Sequence, residues 1–386
     1  MEAHTTPFAT LGLSEALLTA ISALGYKDPT PIQQQAIPAV LFGKDVLGIA
    51  DTGSGKTLSY ALPILQHLQE EKWTVQNRHV PVLVLVPTRE LAVQVEMVFN
   101  EVSAGLPERV KTMAVFGGVS INPQMIGMQG VQVLIATPGR LLDLIDSKAV
   151  HLGEVKMLVL DEADTMLNLG FKEEMNKLLA LMPRKRQNLL FSATLSNAVN
   201  DITQVVLHKP EVIQVTTDPQ EVALIQQRAF RVPHERKGPF LRYLIQSHAM
   251  QQVLVFTASS HSADHVADKL VKNGIHAKAT HGKKSNHARQ QALAEFKAGK
   301  IRVLVTTDLL SRGIDIEFLP YVINYELPRS PKDYIHRIGR TGRADRPGEA
   351  FTIVTPEDQP HFKVIQKKMG QWLTLESTDD VDLQGV

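Results

Sequence analysis

Short runs of Val, Ile and Leu, each closed by small or polar residues and followed by a helical pattern, recur along this chain and leave few folds open to it. The first half carries DVLGI (Asp45 to Ile49), VLVLVP (Val82 to Pro87), VQVLIATP (Val131 to Pro138), MLVLDEAD (Met157 to Asp164) and NLLFSAT (Asn188 to Thr194). The second carries VLVFTAS (Val253 to Ser259), RVLVTTD (Arg302 to Asp308), YVINYELP (Tyr321 to Pro328) and AFTIVTP (Ala350 to Pro356). Continuous apolar runs of strand length, rather than alternating ones, suit strands of a parallel sheet covered on both faces. Alternation with helices then predicts an α/β fold. With 386 residues there is chain enough for two domains of roughly 100–200 residues, each able to close its own core.

Between Ile213 and Ile225 the chain reads IQVTTDPQEVALI, a polar, Pro-containing patch that marks a linker. This predicts a first domain over 1–215, a linker over 216–222, a second domain over 223–368 and a short acidic tail over 369–386. The tail, ending LESTDDVDLQGV, has little apolar content and is expected to fray.

Hydrophobic residues make up 44% and charged residues 21% of the chain, which suits a folded globular protein. A formal net charge of only +1 means that any nucleic-acid affinity must come from locally placed donors. With no cysteine, disulfides, thiolate metal sites and a cysteine nucleophile are excluded. The opening MEAHTTPF is not a basic segment followed by an apolar one, and no apolar run approaches the ~20 residues of a membrane span. A cytoplasmic, membrane-free protein is expected.

Polar residues stand where the apolar runs end, and open parallel sheets bind ligands outside the carboxyl ends of their strands. ADTGSGKT (Ala50 to Thr57) follows the first run. Gly53 and Gly55 let backbone N–H groups turn in around phosphate oxygens, Lys56 reaches the terminal phosphates, and Thr57 offers a hydroxyl to Mg²⁺ at a helix start. Ala50 stands where the phosphate-loop pattern has its first glycine; the bland alternative is a Gly-Ser turn before an ordinary helix. Asp161 and Glu162 emerge at a strand end, where Asp161 can hold Mg²⁺ through water and Glu162 can orient or deprotonate an attacking water. By itself that pair is better read as a solvated turn, and the phosphate loop is what tips the balance. Arg337, Arg340 and Arg343 recur at three-residue spacing, crowding like charges that an arriving anion would relieve; otherwise they form a basic surface stripe.

Taken with several further segments, these residues resemble the DEAD-box ATP-dependent RNA helicases over about Phe8 to Thr355. GYKDPTPIQQQAIP (Gly25 to Pro38) is similar to the adenine-reading segment of that family, with Phe8 upstream. PTRELA (Pro87 to Ala92), Gly117 and Gly118, TPGR (Thr137 to Arg140), DEAD (Asp161 to Asp164), SAT (Ser192 to Thr194), TTDLLSRGID (Thr306 to Asp315) and HRIGRTGR (His336 to Arg343) follow in the family's order. The opening segment resembles RhlE-like bacterial members. The resemblance implies two tandem RecA-like domains, each a mostly parallel sheet flanked by helices, with ATP and Mg²⁺ as cofactors.

By the same resemblance Gln33 would read the adenine edge, which favours ATP over GTP, Tyr26 would stack on the base, and Phe8 would lie nearby. Thr52, Gly53, Ser54, Gly55, Lys56 and Thr57 would hold the phosphates, with Gly313 and Asp315 meeting the nucleotide from the second domain. Lys56, Asp161, Glu162, Arg340 and Arg343 would be catalytic, the two arginines as fingers, and Thr57 and Asp161 would face the metal. Ser192, Thr194, Asp164 and His336 would couple the ATP site to domain closure. The RNA backbone would be held by Thr88, Arg89, Gly117, Gly118, Thr137, Gly139 and Arg140 on the first domain. Thr257, Gly282, Arg289 and Thr306 would hold it on the second. Asn286 stands where the family tends to have Gln and is not assigned a contact.

Small residues and backbone amides carry no sequence information, so contacts with single-stranded RNA or a short duplex should be largely sequence-independent. Local, non-processive unwinding by a monomeric core is expected. An ATP-gated RNA clamp that does not unwind, and a DNA-dependent ATPase, are the alternatives. His281 reads as a loop residue rather than a ligand, because the 14 histidines show no zinc-like spacing.

Overall fold

The computed structural model describes residues 7–50, 53–73, 78–215, 225–308, 319–342 and 348–383. The chain divides into two compact units, Met1–Thr216 and Thr217–Val386.

In the first unit seven strands form one sheet: β1 (Val46–Ile49), β2 (Val82–Leu85), β3 (Thr112–Val115), β4 (Val133–Ala136), β5 (Met157–Leu160), β6 (Gln187–Ser192) and β7 (Glu211–Gln214). Their order is β3-β4-β2-β5-β6-β1-β7, and each neighbouring pair is parallel. The runs read as doubly buried strands are so. Val82, Val84, Val133 and Ile135 enter the apolar cluster on one face, while Leu83, Leu85, Leu134 and Ala136 enter the cluster on the other. None of these eight side chains is exposed; burying one Val or Leu stabilises by about 1.5–3 kcal/mol.

One polar staple sets how two of these strands end. The buried Asp45 carboxylate accepts from the Asn188 backbone N–H at 2.7 Å, the Asn188 amide at 3.2 Å and the His208 N–H at 2.8 Å. It fixes the amino ends of β1 and β6 and the approach to β7. The carboxyl ends of β1 and β6 therefore stand level, and the Ala50 N–H donates to the Ser192 carbonyl at 3.0 Å.

The second unit contains β8 (Ile225–Arg231), β9 (Val253–Thr257), β10 (Ala277–Thr280), β11 (Val303–Thr307), β12 (Tyr321–Asn324), β13 (Gly348–Val354) and β14 (Leu375–Ser377). Their order is β10-β11-β9-β12-β13-β8-β14, again with parallel neighbours. Adding seven to each strand number of the first sheet reproduces the second, so the two units share one winding. Val253, Val255, Val303 and Val305 line one face of this sheet, and Leu254, Phe256 and Leu304 line the other.

Residues 375–383 of the acidic end do not fray as expected from its composition. β14 pairs with β8 in register Leu375 to Ala229 and Ser377 to Arg231, and Val381 and Leu383 pack on the core of this unit. Charge pairing does what apolar content does elsewhere. Arg228 grips Glu376 through two bonds, 2.9 Å from Nε and 2.7 Å from Nη2, and Arg231 reaches Asp379 at 3.2 Å. Beyond it, Arg236 Nη2 donates to the Val381 carbonyl at 2.7 Å.

Candidate nucleotide site and nucleic-acid interface

The loop after β1 turns through Gly53 at φ +78° and Gly55 at φ +88°, a left-handed backbone that glycine adopts without steric cost. Gly55 caps the helix Lys56–Glu71, so the first N–H groups of that helix face the loop and favour an anion there. Lys56 is 7% exposed and its Nζ donates to the Ala50 carbonyl at 2.7 Å, folding the side chain back over the loop.

The segment read as adenine-reading is bound to this loop. The Thr30 hydroxyl donates to the Ser54 carbonyl at 2.7 Å. The Gln33 amide donates from Nε2 to the Gly55 carbonyl at 3.1 Å and accepts the Thr30 N–H at 2.9 Å through Oε1. Tyr26 is 39% exposed, whereas Phe8 is 5% exposed within the apolar core. A partly exposed ring and an amide aimed at the phosphate loop thus lie on one short segment.

At the end of β5, Asp161 is buried, and both its oxygens are taken. Oδ1 accepts the Glu162 N–H at 2.9 Å and Oδ2 accepts the Tyr60 hydroxyl at 2.8 Å. Burial pushes the Asp161 carboxyl above its ordinary range, against the opposing pull of Lys56 and of these two hydrogen bonds. Burial first, and then the Asp161 charge, push the Tyr60 phenol well above its ordinary value. Glu162 itself sits at φ +51°, ψ +48° at the start of the helix Ala163–Asn168, a conformation that costs a non-glycine residue about 1–3 kcal/mol. The Thr194 hydroxyl donates to Asp164 Oδ2 at 3.0 Å, and the Ser192 hydroxyl donates to the Thr194 carbonyl at 2.8 Å. The ends of β5 and β6 are therefore joined side chain to side chain.

Strands β2, β3 and β4 of the first sheet lead into the residues assigned to RNA. Thr88 caps the helix Arg89–Ser103, accepting the Leu91 N–H at 3.2 Å. The Arg89 guanidinium lies against Gly118, where a Cβ would meet its Nη2 at 2.8 Å. Thr137 precedes the helix Pro138–Asp146, and Arg140 Nη2 donates to the Val119 carbonyl at 2.9 Å. Three loops at the carboxyl ends of the adjacent strands β2, β3 and β4 are thereby gathered. A Cβ added at Gly117 or Gly139 would meet nothing within 4 Å, so these two glycines leave open space for a close approach.

In the second unit Thr257 ends β9, and its hydroxyl donates to the Thr306 and Ser259 carbonyls, each at 3.2 Å. Thr306 lies in β11, Gly282 follows β10, and Arg289 is buried in the helix Asn286–Lys297. These strands, too, are neighbours in their sheet. His281 is 2% exposed, with Nε2 3.0 Å from Asp264 Oδ2. Arg337 is not part of an anion cradle. It is 1% exposed and bonds Asp308 at 2.5 and 2.8 Å, the Glu326 carbonyl at 2.6 Å and Asn324 Oδ1 at 3.2 Å. Its own unit satisfies its charge, which removes the crowding argument at that position. His336 and Arg340 are both buried beside it. Thr52, Gly313, Asp315 and Arg343 lie outside the described residues, as does the linker over 216–222.

With that geometry in place, a family model described as DEAD/DEAH box helicase matches residues 30–202, and one described as helicase conserved C-terminal domain matches residues 236–345. A DEAD-box ATP-dependent RNA helicase CshA of Geobacillus kaustophilus is 39% identical over 363 residues, covering 94% of this chain and 76% of the relative. The chain belongs to the DEAD-box family of ATP-dependent RNA helicases. An ATP-dependent rRNA helicase rrp3 of Emericella nidulans is 40% identical over 353 residues, covering 91% of this chain and 74% of its own. Among solved structures, S. cerevisiae Dbp5 bound to RNA and ADP BeF3 matches with TM-score 0.84 at 30% identity, covering 97% of this chain and 96% of that one.

As in other DEAD-box proteins, then, the architecture is two RecA-like domains and the enzyme class is RNA-dependent ATPase. No helix among the described residues is long and apolar enough to cross a membrane. Among the described residues there is also no group of three or more His, Cys, Asp or Glu side chains that could hold a metal. A Thr57 hydroxyl and one Asp161 carboxylate suit Mg²⁺, which keeps its waters and takes most other ligands from phosphates. Tyr60 is the site residue that sequence reasoning missed. A tyrosine in an apolar helix reads as core; the available signal was its place four residues after Lys56, on the same helix face.

Proposed function

We propose that this DEAD-box protein is an ATP- and RNA-driven remodeller whose two units close on one RNA strand, displace its partner from a short duplex without processive stepping, and reopen after hydrolysis. One observation carries this reading: the first sheet presents the phosphate loop, Asp161 with Glu162, and Ser192 with Thr194 at the ends of β1, β5 and β6. Beside them, on β2, β4 and β3, it presents the loops assigned to RNA. Both ligands would thus share one carboxyl edge of one rigid layer.

In this scheme Gly53, Gly55 and Lys56 hold the phosphates, and Gln33 exchanges its bond to the Gly55 carbonyl for the adenine edge. Glu162 orients the attacking water and takes its proton. Thr57 and Asp161 would hold Mg²⁺, which when bound neutralises phosphate charge. Arg340 and Arg343, with Gly313 and Asp315, would reach the nucleotide from the second unit, and His336 with Thr194 and Asp164 would report its state. RNA would be held by its backbone, without base specificity, by a monomeric core acting in the cytoplasm. Because both ligands favour the closed state, each should tighten the other.

The test is ATP turnover with and without RNA, run beside strand release from a short RNA duplex. Lys56→Ala and Glu162→Gln should each lower turnover by about 10²–10⁴-fold while RNA binding survives. Turnover without strand release would favour an ATP-gated clamp, and equal stimulation by matched DNA would favour a DNA-directed ATPase, since the 2′-hydroxyl is the discriminating group.

A further inference from the structure

Tyr60 lies in the helix Lys56–Glu71, three residues after Thr57, and its side chain has no exposed surface. Its ring packs between Phe191, with centroids 5.4 Å apart, and Phe99, at 6.3 Å. A phenylalanine would fill the same space. What the tyrosine adds is a hydroxyl buried in apolar surroundings, and a buried hydroxyl is costly unless it is hydrogen-bonded. That hydroxyl donates to Asp161 Oδ2 at 2.8 Å.

Asp161 is consequently gripped at both ends, by the Glu162 N–H on Oδ1 and by Tyr60 on Oδ2. Two donors on opposite oxygens fix the plane of a carboxylate. Each oxygen keeps a further lone pair, and the directions of those pairs are then fixed as well. The same phenol connects the phosphate-loop helix to the end of β5, two elements 101 residues apart in sequence at this contact.

We propose that Tyr60 is a positioning residue for the metal–nucleotide complex: its hydroxyl sets the plane of the Asp161 carboxylate and so prearranges that oxygen donor. The inference rests on the reading above that Asp161 and Thr57 face Mg²⁺. Groups that hold a ligating carboxylate in this way typically govern metal affinity by about 10–100-fold. Tyr60 touches neither nucleotide nor reacting atoms in this scheme and acts only through Asp161.

The experiment uses the full chain as wild type, Tyr60→Phe, Tyr60→Leu and Asp161→Asn. Mn²⁺ binding to the ADP complex is followed by electron paramagnetic resonance, with ADP binding in EDTA and the thermal midpoint as controls. The Mg²⁺ concentration for half-maximal ATP turnover is measured beside them. Tyr60→Phe should weaken Mn²⁺ binding about tenfold and raise the half-saturating Mg²⁺ by a similar factor, with ADP binding in EDTA unchanged. Tyr60→Leu should show the same metal defect together with a lower thermal midpoint.

A purely structural tyrosine gives the opposite pattern: Tyr60→Phe matches wild type in metal binding and only Tyr60→Leu is impaired. That result overturns the proposal. If Asp161→Asn also binds Mn²⁺ like wild type, the metal reading of Asp161 falls, and the inference falls with it. An Asp161→Asn defect beside a normal Tyr60→Phe overturns the inference alone.

Discussion

Gly55 stands at φ +88°, and a Cβ built there would lie 2.4 Å from Gln33 Nε2 and 3.0 Å from the Thr30 hydroxyl. Both contacts belong to the latch between the adenine-reading segment and the phosphate loop, so one methyl group strains the backbone and pushes the latch apart. The left-handed backbone alone costs alanine about 1–2 kcal/mol. Gly55→Ala should lower the urea midpoint of the first unit accordingly and weaken ATP binding beyond what the stability loss explains. Titration of the wild type and of Gly55→Ala with a fluorescent ATP analogue checks this. At Glu162, by contrast, a non-glycine residue holds the same left-handed region. There the N–H bond to Asp161 Oδ1 and the joined ends of β5 and β6 hold the conformation. At this scale the phosphate loop and the acidic pair were legible, because glycines before Lys56 and carboxylates at a strand end have few other uses together. Tyr60 was not, since its polar partner lies 101 residues away and only packing brings them together.

Among the elements, legibility followed position in the sheet except at β8, an interior strand whose sequence IQQRAFR is only partly buried and carries no continuous apolar run. The runs seen in the sequence are β1, β2, β4, β5 and β6 in one unit and β9, β11, β12 and β13 in the other, strands that have a neighbour on each side. β3 and β10, each at a sheet edge, are half-exposed at two or more of their four residues, and TMAV and AKAT carry no continuous apolar signal. β14 is the extreme case, because the pairing of Arg228 with Glu376 substitutes for burial. A pH dependence follows. Its hydrogen bond to Arg228 holds the Glu376 carboxyl below its ordinary value of 4.5. The Asp379 carboxyl is held low by Ser377 and, more weakly, by Arg231. A carboxyl depressed on folding contributes stability that is complete above its ordinary value and lost as pH falls through the lower folded value. Both pairs are about half exposed, so the effect is modest and screened by salt. Amide protection at Leu375–Ser377, corrected for intrinsic exchange, should therefore fall between about pH 5 and 3 while β9 and β11 stay protected. Arg228→Ala should bring that loss to neutral pH.

For the whole molecule, the recurrence of one winding is the feature with most reach. Each sheet is completed by its own last strand, β7 in the first unit and β14 in the second, and each is covered on both faces by its own apolar clusters. Among the described residues neither sheet takes a strand from the other half. Severing the chain between residues 216 and 224 should then give two fragments that each unfold cooperatively, as calorimetry would show. Mixed together with RNA and ATP, they should recover turnover that rises with fragment concentration, whereas either fragment alone should remain near background. Rapid RNA-indifferent turnover by fragment 1–215 alone would refute a shared active centre. What the covalent tether contributes is proximity: joining two binding units through a short stretch of chain raises their effective concentration to about millimolar. Breaking it should change how often the halves meet and leave the chemistry of each encounter as it was.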